Sequence, residues 1–276
     1  MFRPSLFSGR TALVTGGGTG IGLAISKQLY NLGANVVIAS RNEKNLKQAQ
    51  KEIQESVENC PAAKNEISYQ ILDQRNLEET QKSVDNVIKN YDKLDFLVAN
   101  GGGQYYSRFK DISPKGWNAV VRTNLDGTFN LCYSAYHAKN GMKDQQFGRI
   151  VTMSVSYING GMYGMGHSGA ARGGVENLTK TLAQEWAPDG IFTNCIAPGV
   201  IFSEKAADHY GENGRKYFSM IGQKAPARRL GTPDECAEAV SFLLQGGYIN
   251  GVILPVDGGQ GLHGITSQVH MDDPDF

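Results

Sequence analysis

The stretch Thr11-Ala-Leu-Val-Thr15-Gly-Gly-Gly-Thr-Gly20-Ile-Gly22 decides the fold of this chain. Its first five residues form a short apolar run of the kind that makes a buried strand, and the residues after it are rich in glycine. Behind the run, apolar residues from Ile21 to Leu32 recur at helical spacing. The sequence therefore predicts a strand, a tight glycine loop and a helix, in that order.

The alternation of strand and helix continues along the chain. A surface helix is predicted at 42–59, a packing helix from Ser168 to Trp186, and a capped helix starting at Thr232-Pro-Asp-Glu235. Because parallel strands need crossover helices that pack on both faces, we predict an α/β Rossmann fold, with one domain over residues 1–276 and a seven-stranded parallel sheet. The six further strands are predicted at 35–40, 67–72, 93–100, 148–154, 191–196 and 252–256.

Composition excludes several classes of protein. The 276 residues contain 27 Lys and Arg against 27 Asp and Glu, so the chain lacks the broad basic surface of a nucleic-acid or anionic-membrane binder. No run approaches the roughly 18 apolar residues of a membrane span. The cysteines, Cys60, Cys132, Cys195 and Cys236, are too far apart to suggest a metal site. We therefore expect no nucleic-acid partner, no membrane span and no metal.

Neither end of the sequence suggests a targeting signal. The residues from Met1 to Arg10 precede the first strand-like run and are too few for a signal peptide. The final Asp275-Phe276 is not a peroxisomal address of the Ser-Lys-Leu type. The default expectation for the compartment is therefore the cytoplasm.

The glycine loop after the first strand has the chemistry of a dinucleotide site. Glycines let the backbone approach a pyrophosphate, and the N-terminus of the following helix supplies N–H donors and the positive end of the helix dipole. The alternative is a tight turn that binds no ligand, because the spacing is Gly-x-x-x-Gly-x-Gly. The predicted contacts of the cofactor are Gly16, Thr19, Gly20, Ile21 and Gly22.

The end of the second strand favours NADPH over NADH. A NAD site would carry an acidic residue there, but the chain reads Ala-Ser40-Arg41. Arg41 offers several donors to a 2′-phosphate and Ser40 one more, unless Arg41 is a solvated surface residue. Asp73, at the end of the third strand, is predicted to meet the adenine amino group. Asn100 and Gly101, after the fourth strand, are predicted to pass under the cofactor.

These residues resemble the short-chain dehydrogenase/reductase family over essentially the whole chain. The resemblance is carried by the Thr-Gly-x3-Gly-x-Gly loop, by Asn100-Gly-Gly after the fourth strand, by Asn124 and by Ala197-Pro-Gly199. It implies a Rossmann fold, a nicotinamide cofactor, a catalytic role for Asn124 and a homotetramer. It also implies that the cofactor contacts Pro198, Gly199 and Val200.

The family's usual proton donor, the tyrosine of Tyr-x-x-x-Lys, is missing from its expected place. In the register that the resemblance gives, Ser168 stands at the tyrosine and Arg172 at the lysine, while Val155 replaces the usual serine. A serine hydroxyl has a pKa far above the ~10 of tyrosine and cannot replace it as the proton donor to an alkoxide. Ordinary alcohol and ketone chemistry is therefore disfavoured.

The altered pattern resembles the branch of 2,4-dienoyl-CoA reductases and peroxisomal trans-2-enoyl-CoA reductases, in which the acid lies upstream. Tyr157 lies fifteen residues before Arg172, the offset of the dienoyl-CoA reductase tyrosine from its lysine. The resemblance implies NADPH-dependent reduction of the trans-2 double bond of an enoyl-CoA in fatty-acid metabolism. The strings that look closest to the enoyl-CoA reductase are 100–104, 167–172, 177–180 and 197–201.

The resemblance also implies roles for the residues of the site. Tyr157, with Asn124 or its bound water, would stabilise the enolate oxygen of the thioester, and Ser168 would donate a further hydrogen bond. Arg172 would bind the nicotinamide ribose. By the same resemblance, the peroxisome is an alternative compartment. Three other functions stay open: reduction of a 2,4-dienoyl-CoA, reduction of a carbonyl compound with Tyr157 or Tyr163 as the acid, and non-catalytic binding of NADP(H).

Acyl-CoA is the expected substrate, and two groups of residues are candidates for binding it. The stretch 202–224 is too long for a simple connection and is predicted to be a lid. The apolar candidates for the acyl chain are Tyr105, Tyr106, Met162, Tyr163, Met165, Phe202, Tyr217, Phe218 and Met220. The basic candidates for the phosphates of coenzyme A are Arg108, Lys110, Lys224, Arg228 and Arg229.

Overall fold

All seven predicted strands are present in a computed structural model, which describes residues 5–56, 65–203, 215–216 and 218–263. The strands are β1 Thr11–Thr15, β2 Asn35–Ser40, β3 Ile67–Ile71, β4 Phe96–Ala99, β5 Gly148–Met153, β6 Ile191–Pro198 and β7 Ile253–Val256. They form one parallel sheet in the order β3-β2-β1-β4-β5-β6-β7. The predicted fold class is confirmed.

Helices fill the connections between the strands. They are α1 Gly20–Asn31, α2 Glu43–Glu55, α3 Leu77–Tyr91, α4 Pro114–Val121, α5 Gly127–His137, α6 Met142–Gln145, α7 Gly166–Glu185, α8 Pro233–Gln245 and α9 Gln260–His263. A π-helical segment, Arg122–Asp126, joins α4 to α5, so the two helices are connected through one widened turn. Residues 57–59 of the predicted surface helix lie outside the described part of the chain. The predicted capping box of Thr232 and Glu235 is present at the start of α8.

Two hydrophobic clusters cover the two faces of the sheet. Ala12 and Val14 of β1 pack with α1 and α8 on one face, whereas Leu13 belongs to the cluster on the other face, with α3 and α5. This division follows from the alternation of side chains along a strand. All five side chains of β1 are buried. A run of apolar residues without polar alternation is therefore what a central strand between two helical layers requires.

The strand order reverses between β1 and β4, which lie side by side although two strands separate them in the chain. In open parallel sheets a ligand-binding crevice forms at the carboxyl ends of the strands where the order reverses. The loops that follow β1, β4, β5 and β6 therefore converge on one crevice.

The described residues contain neither a metal cluster nor a helix long and apolar enough to cross a membrane. Three cysteines, Cys132, Cys195 and Cys236, are free and buried, and burial raises the pKa of each thiol to about 12. Cys60 lies outside the described part of the chain. The three buried thiols are therefore protonated at neutral pH and act as small core side chains.

Candidate active site

Two adjoining cavities open at the carboxyl ends of β1 and β4. The first, of about 430 Å³, extends from the glycine loop to the ends of β5 and β6. The second, of about 680 Å³, extends toward the ends of β2 and β3. Gly16, Thr19 and Gly102 line both, so the two are continuous. An elongated ligand can therefore lie across the switch point of the sheet.

The glycine loop lies against the end of β4. Gly16 has a φ of +67°, and a Cβ placed there would lie 2.7 Å from the side-chain nitrogen of Asn100. The Asn100 amide donates to the Thr15 carbonyl at 2.9 Å, and the Gly101 N–H donates to Thr15 Oγ1 at 2.9 Å. Only glycine fits this close approach. Asn100 and Gly101 therefore hold the glycine loop in place. Both also line the crevice in which the sequence predicts the cofactor.

The N-terminus of α1 faces the first cavity. Thr19 is its N-cap, and the Thr19 side chain makes no capping hydrogen bond to the N–H groups of the first turn. No acidic residue lies in that turn. The free N–H donors and the positive end of the helix dipole therefore suit a pyrophosphate. The lining of the first cavity includes the predicted contacts Gly16, Thr19, Gly20, Ile21, Gly22, Asn100, Arg172, Pro198, Gly199 and Val200.

The second cavity contains the residues predicted for the adenosine half of the cofactor. Ser40, Arg41 and Asp73 line it. Asp73 is bound by Arg75, whose Nε lies 2.8 Å from Asp73 Oδ1, and this pairing lowers the pKa of the Asp73 carboxyl. Arg41 is exposed and makes no ion pair among the described residues. The pairing of Asp73 with Arg75 balances the carboxylate, so Arg41 is available for a 2′-phosphate, which fits NADPH. The contact between Asp73 and adenine stays a prediction.

Asn124 is hydrogen-bonded to the backbone on both sides of its amide. It lies in the π-helical segment and is 1% exposed. Its amide nitrogen donates to the carbonyls of Gly103 and Val120, both at 2.8 Å, and its Oδ1 accepts from the Gly103 N–H at 3.2 Å. Both amide hydrogens are thus used by the backbone. Asn124 thus fixes the loop after β4, and its predicted role toward the substrate, direct or through a bound water, stays a prediction.

Arg172 is a buried cation at the wall of the first cavity. It is 8% exposed, and its Nη1 donates to the Met153 carbonyl at 2.7 Å. Its Nε has no hydrogen-bond partner among the described residues. No carboxylate of the described residues forms an ion pair with Arg172. Burial lowers the pKa of the guanidinium, an effect partly offset by Cys195 and Tyr157. A buried cation without an acidic partner is costly. Its position fits hydroxyl or phosphate oxygens of a cofactor.

A chain of three side chains links the two sides of the first cavity. Tyr157, in the loop after β5, donates from its hydroxyl to Ser168 Oγ at 3.1 Å, and Ser168 donates to Gln104 Oε1 at 2.5 Å. Tyr157 and Gln104 line the cavity, while Ser168 is fully buried behind them. The structure therefore brings together the predicted Tyr157, Ser168 and Arg172. Gln104 is an additional member that the sequence analysis did not assign.

His167 holds the start of α7. It is fully buried, and its Nδ1 accepts from the Ser168 N–H at 2.8 Å. Burial lowers the pKa of the imidazole. Its ring meets the edge of Tyr105, with 4.5 Å between ring centroids. A neutral ring that accepts at Nδ1 carries its hydrogen on Nε2. His167 thus positions the backbone of Ser168 and does not line the cavity.

Only some of the predicted apolar residues line the first cavity. Met162, Met165 and Phe218 do so. Tyr106 and Tyr163 pack on each other outside it, with 6.2 Å between ring centroids. Tyr105 packs on His167 of α7, and none of these three rings is part of the cavity wall. Tyr217 and residues 204–214 of the predicted lid lie outside the described part of the chain, whereas 218–224 are helical.

The chain belongs to the short-chain dehydrogenase/reductase family of oxidoreductases. Three features agree with that family: the doubly wound parallel sheet, the glycine loop at its switch point, and the site between β4, β5 and α7. The family model described as enoyl-(acyl carrier protein) reductase matches residues 16–261. The resemblance noted in the sequence is thereby confirmed.

Among known proteins, the chain is similar to reductases of CoA thioesters. It is 34% identical to a probable 2,4-dienoyl-CoA reductase of Bacillus subtilis, over 92% of this chain and 97% of that protein. It is 36% identical to an acetoacetyl-CoA reductase of Shinella zoogloeoides, over 91% and 98%. A solved structure of actinorhodin polyketide ketoreductase with NADPH matches with a TM-score of 0.84 and 30% identity, over 94% and 99%.

Proposed function

We propose that this chain is an NADPH-dependent reductase of trans-2-enoyl-CoA thioesters. The observation that carries the proposal is the hydrogen-bond chain from Tyr157 through Ser168 to Gln104, which begins and ends at the wall of the cavity. The tyrosine reaches the cavity from the loop after β5, while the usual tyrosine position on α7 carries a serine. Similarity to a 2,4-dienoyl-CoA reductase supports a substrate of the same class.

Reduction of an enoyl thioester adds a hydride at the β-carbon and a proton at the α-carbon. NADPH, when bound, supplies the hydride. The negative charge that develops on the thioester oxygen is stabilised by donors that are already oriented toward it. Tyr157 is the donor in this role, and the buried guanidinium of Arg172 adds a fixed positive charge at the same wall. Arg172 keeps its proton, so the α-carbon receives its proton from Tyr157 or from water.

The hydrogen-bond chain can run in two directions. In the structure, Tyr157 donates to Ser168 and Ser168 donates to the side-chain oxygen of Gln104, so the Tyr157 proton points into the wall, toward Ser168, and not into the cavity. Donation from Tyr157 to a thioester oxygen keeps the hydrogen bond between Tyr157 and Ser168 only if Ser168 donates back to Tyr157. The amide of Gln104 permits this reversal, because a half-turn of its terminal bond presents an NH2 donor to Ser168 in place of the acceptor oxygen.

The choice of NADPH rests on the end of β2. Arg41 and Ser40 border the second cavity, and the nearby Asp73 is balanced by Arg75. Glu43 also borders this cavity, but it pairs with Lys47 at 2.9 Å. Both carboxylates at this end of the crevice are paired with cations, and Arg41 is not paired among the described residues, so the local charge suits a 2′-phosphate. A related ketoreductase was solved with NADPH, which supports the same cofactor here.

The test follows NADPH absorbance with purified protein and trans-2-enoyl-CoA of short, medium and long chain. We expect turnover in the wild-type protein and a loss of kcat of about 10²-fold or more in Tyr157→Phe, because one oxyanion donor is removed. Ser168→Ala breaks the same chain and should lower kcat while leaving NADPH binding intact. NADPH binding without reduction of any enoyl or dienoyl thioester would refute the proposal.

Reduction of an acetoacetyl-CoA is the second candidate function. It is favoured by the 36% identity to an acetoacetyl-CoA reductase and by the phenol of Tyr157 at the cavity, which could protonate an alkoxide. The same assay discriminates between the candidates when enoyl-CoA, 2,4-dienoyl-CoA and acetoacetyl-CoA are compared side by side. A kcat/KM higher for the ketone than for both unsaturated thioesters would make the second candidate the correct one.

A homotetramer in the cytoplasm is proposed with this function. Phe129 on α5 and Phe242 on α8 are 47% and 50% exposed, which suits contact between copies. Light scattering coupled to size-exclusion chromatography measures the mass of the assembly, and a mass of 30.0 kDa, that of one chain, would contradict the homotetramer.

Import of a fluorescent fusion into peroxisomes would contradict the cytoplasmic location.

A further inference from the structure

One short segment of this neutral protein is strongly basic. The whole chain carries 27 Lys and Arg against 27 Asp and Glu. Residues 215–231, however, contain no Asp or Glu. The five cations of this segment are Arg215, Lys216, Lys224, Arg228 and Arg229. A local excess of positive charge in a protein without net charge suits an anionic ligand.

Part of this segment forms a pocket beside the reaction cavity. The pocket, of about 340 Å³, is lined by Arg215, Arg228 and Arg229 together with Phe202 and apolar neighbours. Phe218 lines both this pocket and the reaction cavity. The two spaces therefore adjoin at one aromatic ring. A ligand can place one end in the reaction cavity and an anionic end among the arginines.

The arginines of the pocket differ in their partners. Arg229 is bound by Glu235, with nitrogen–oxygen distances of 2.9 and 2.6 Å, so its charge is balanced. Arg228 has a φ of +57°, and its side chain makes one hydrogen bond among the described residues, from Nη1 to the Gln223 carbonyl at 3.0 Å. A left-handed backbone is unfavourable for a residue other than glycine. Arg228 is exposed and has no acidic partner among the described residues, so its charge is open to a ligand.

The other basic candidates from the sequence analysis are less suited to this role. Arg108 pairs with Asp111 at 2.9 Å. Neither Arg108 nor Lys110 lines the reaction cavity or the pocket beside it. Arg215, which the sequence analysis left out, lines the pocket. The structure therefore favours the basic segment 215–231, which overlaps the end of the predicted lid, over the one after β4.

We propose that this pocket, with Arg228 as its principal cation, binds the phosphate groups at the nucleotide end of coenzyme A. The inference rests on the proposed function and adds the binding site of the thioester's carrier. Guanidinium groups bind phosphate through paired hydrogen bonds, and a concave pocket with an aromatic wall suits a small nucleotide better than the surface of a carrier protein. The pantetheine arm passes Phe218 into the reaction cavity.

The test compares one enoyl group on three carriers: coenzyme A, N-acetylcysteamine, which has no phosphate, and acyl carrier protein. We expect Arg228→Gln to raise KM for the CoA thioester about tenfold with little change in kcat, because one charge-assisted contact to phosphate is lost. KM for the N-acetylcysteamine thioester should not change. Arg228→Lys should be intermediate, because an ammonium lacks the paired geometry. Lys180→Gln, which removes an exposed cation of α7, is the matched control.

Binding of free coenzyme A, measured by calorimetry, separates this inference from the proposed function. If no thioester is reduced but Arg228→Gln still weakens coenzyme A binding, the proposed function fails and the pocket assignment stands. Equal losses with the CoA and N-acetylcysteamine thioesters, or unchanged coenzyme A binding in Arg228→Gln, would overturn the assignment. An effect confined to acyl carrier protein would also overturn it, because the carrier would then be a protein.

Discussion

Replacing Gln104 by glutamate tests whether the hydrogen-bond chain must reverse during reduction. Gln104→Glu exchanges an amide nitrogen for an oxygen and leaves the side chain nearly the same size. Ser168 Oγ lies 2.5 Å from Gln104 Oε1, so a carboxylate there accepts the same hydrogen bond. A carboxylate cannot donate, however. Ser168 is then held as a donor to residue 104, and the proton of Tyr157 stays directed at Ser168.

The magnitude follows from the hydrogen bond that must be broken. A hydrogen bond to a charged group is worth about 1.5–3 kcal/mol, which corresponds to a factor of roughly 10 to 150. Turning Ser168 away from the carboxylate costs that amount in the transition state. We therefore expect kcat of Gln104→Glu to fall by about 10- to 150-fold at pH 7. NADPH affinity should be unchanged, because Gln104 is not among the residues predicted to contact the cofactor.

The pH dependence distinguishes this explanation from simple damage. A free glutamate has a pKa of about 4.3, and the protonated acid has a hydroxyl that can donate to Ser168. The active form of the variant is the protonated one, so its kcat should rise as the pH falls toward the pKa of the new carboxyl. Gln104→Ala, which has neither donor nor acceptor, should lose activity without recovery at low pH. Wild-type kcat in Gln104→Glu at pH 7, or a loss that does not recover, would refute the reasoning.

Two further predictions concern the cofactor loop and its specificity. Arg41→Asp should lower kcat/KM for NADPH at least tenfold and raise kcat/KM for NADH, because a carboxylate repels a 2′-phosphate and binds ribose hydroxyls. Equal use of both cofactors by the wild-type protein would contradict this prediction. Gly22→Ala should destabilise the protein by about 1–3 kcal/mol, because its Cβ would overlap the Gly16 carbonyl oxygen. Gly18→Ala is the control, since its Cβ would meet no atom closer than 3.5 Å; equal melting temperatures in the two variants would refute the steric argument.

The fold could be predicted from the sequence because its strands are short runs of buried apolar residues separated by helical patterns. All side chains of β1 and β4 are buried, so the sheet interior follows from composition alone. The capping box of α8 could also be predicted from the sequence, because its two residues, Thr232 and Glu235, are only three positions apart. Local spacing therefore carries the secondary structure and most of the glycine loop.

The candidate site was less predictable because its contacts are distant in sequence. Gln104 and Ser168 are 64 residues apart, and no local pattern marks them as partners. The one available signal was a polar residue directly after three glycines at the end of β4. Asn124 was assigned by resemblance as a donor to substrate. The widened π-helical turn that engages its amide with Gly103 and Val120 has no sequence pattern of its own.

Binding of the cofactor at the buried guanidinium of Arg172, as proposed, would link cofactor supply to the lifetime of the protein. Its Nε lacks a partner among the described residues and burial disfavours its charge, so a ligand that binds there removes a cost borne by the folded chain. A ligand that binds only the folded state raises stability with its concentration. Proteases act on the small unfolded fraction, so a cell short of the dinucleotide would degrade this chain faster and hold less of it. Abundance would then follow nicotinamide supply without any change in gene expression.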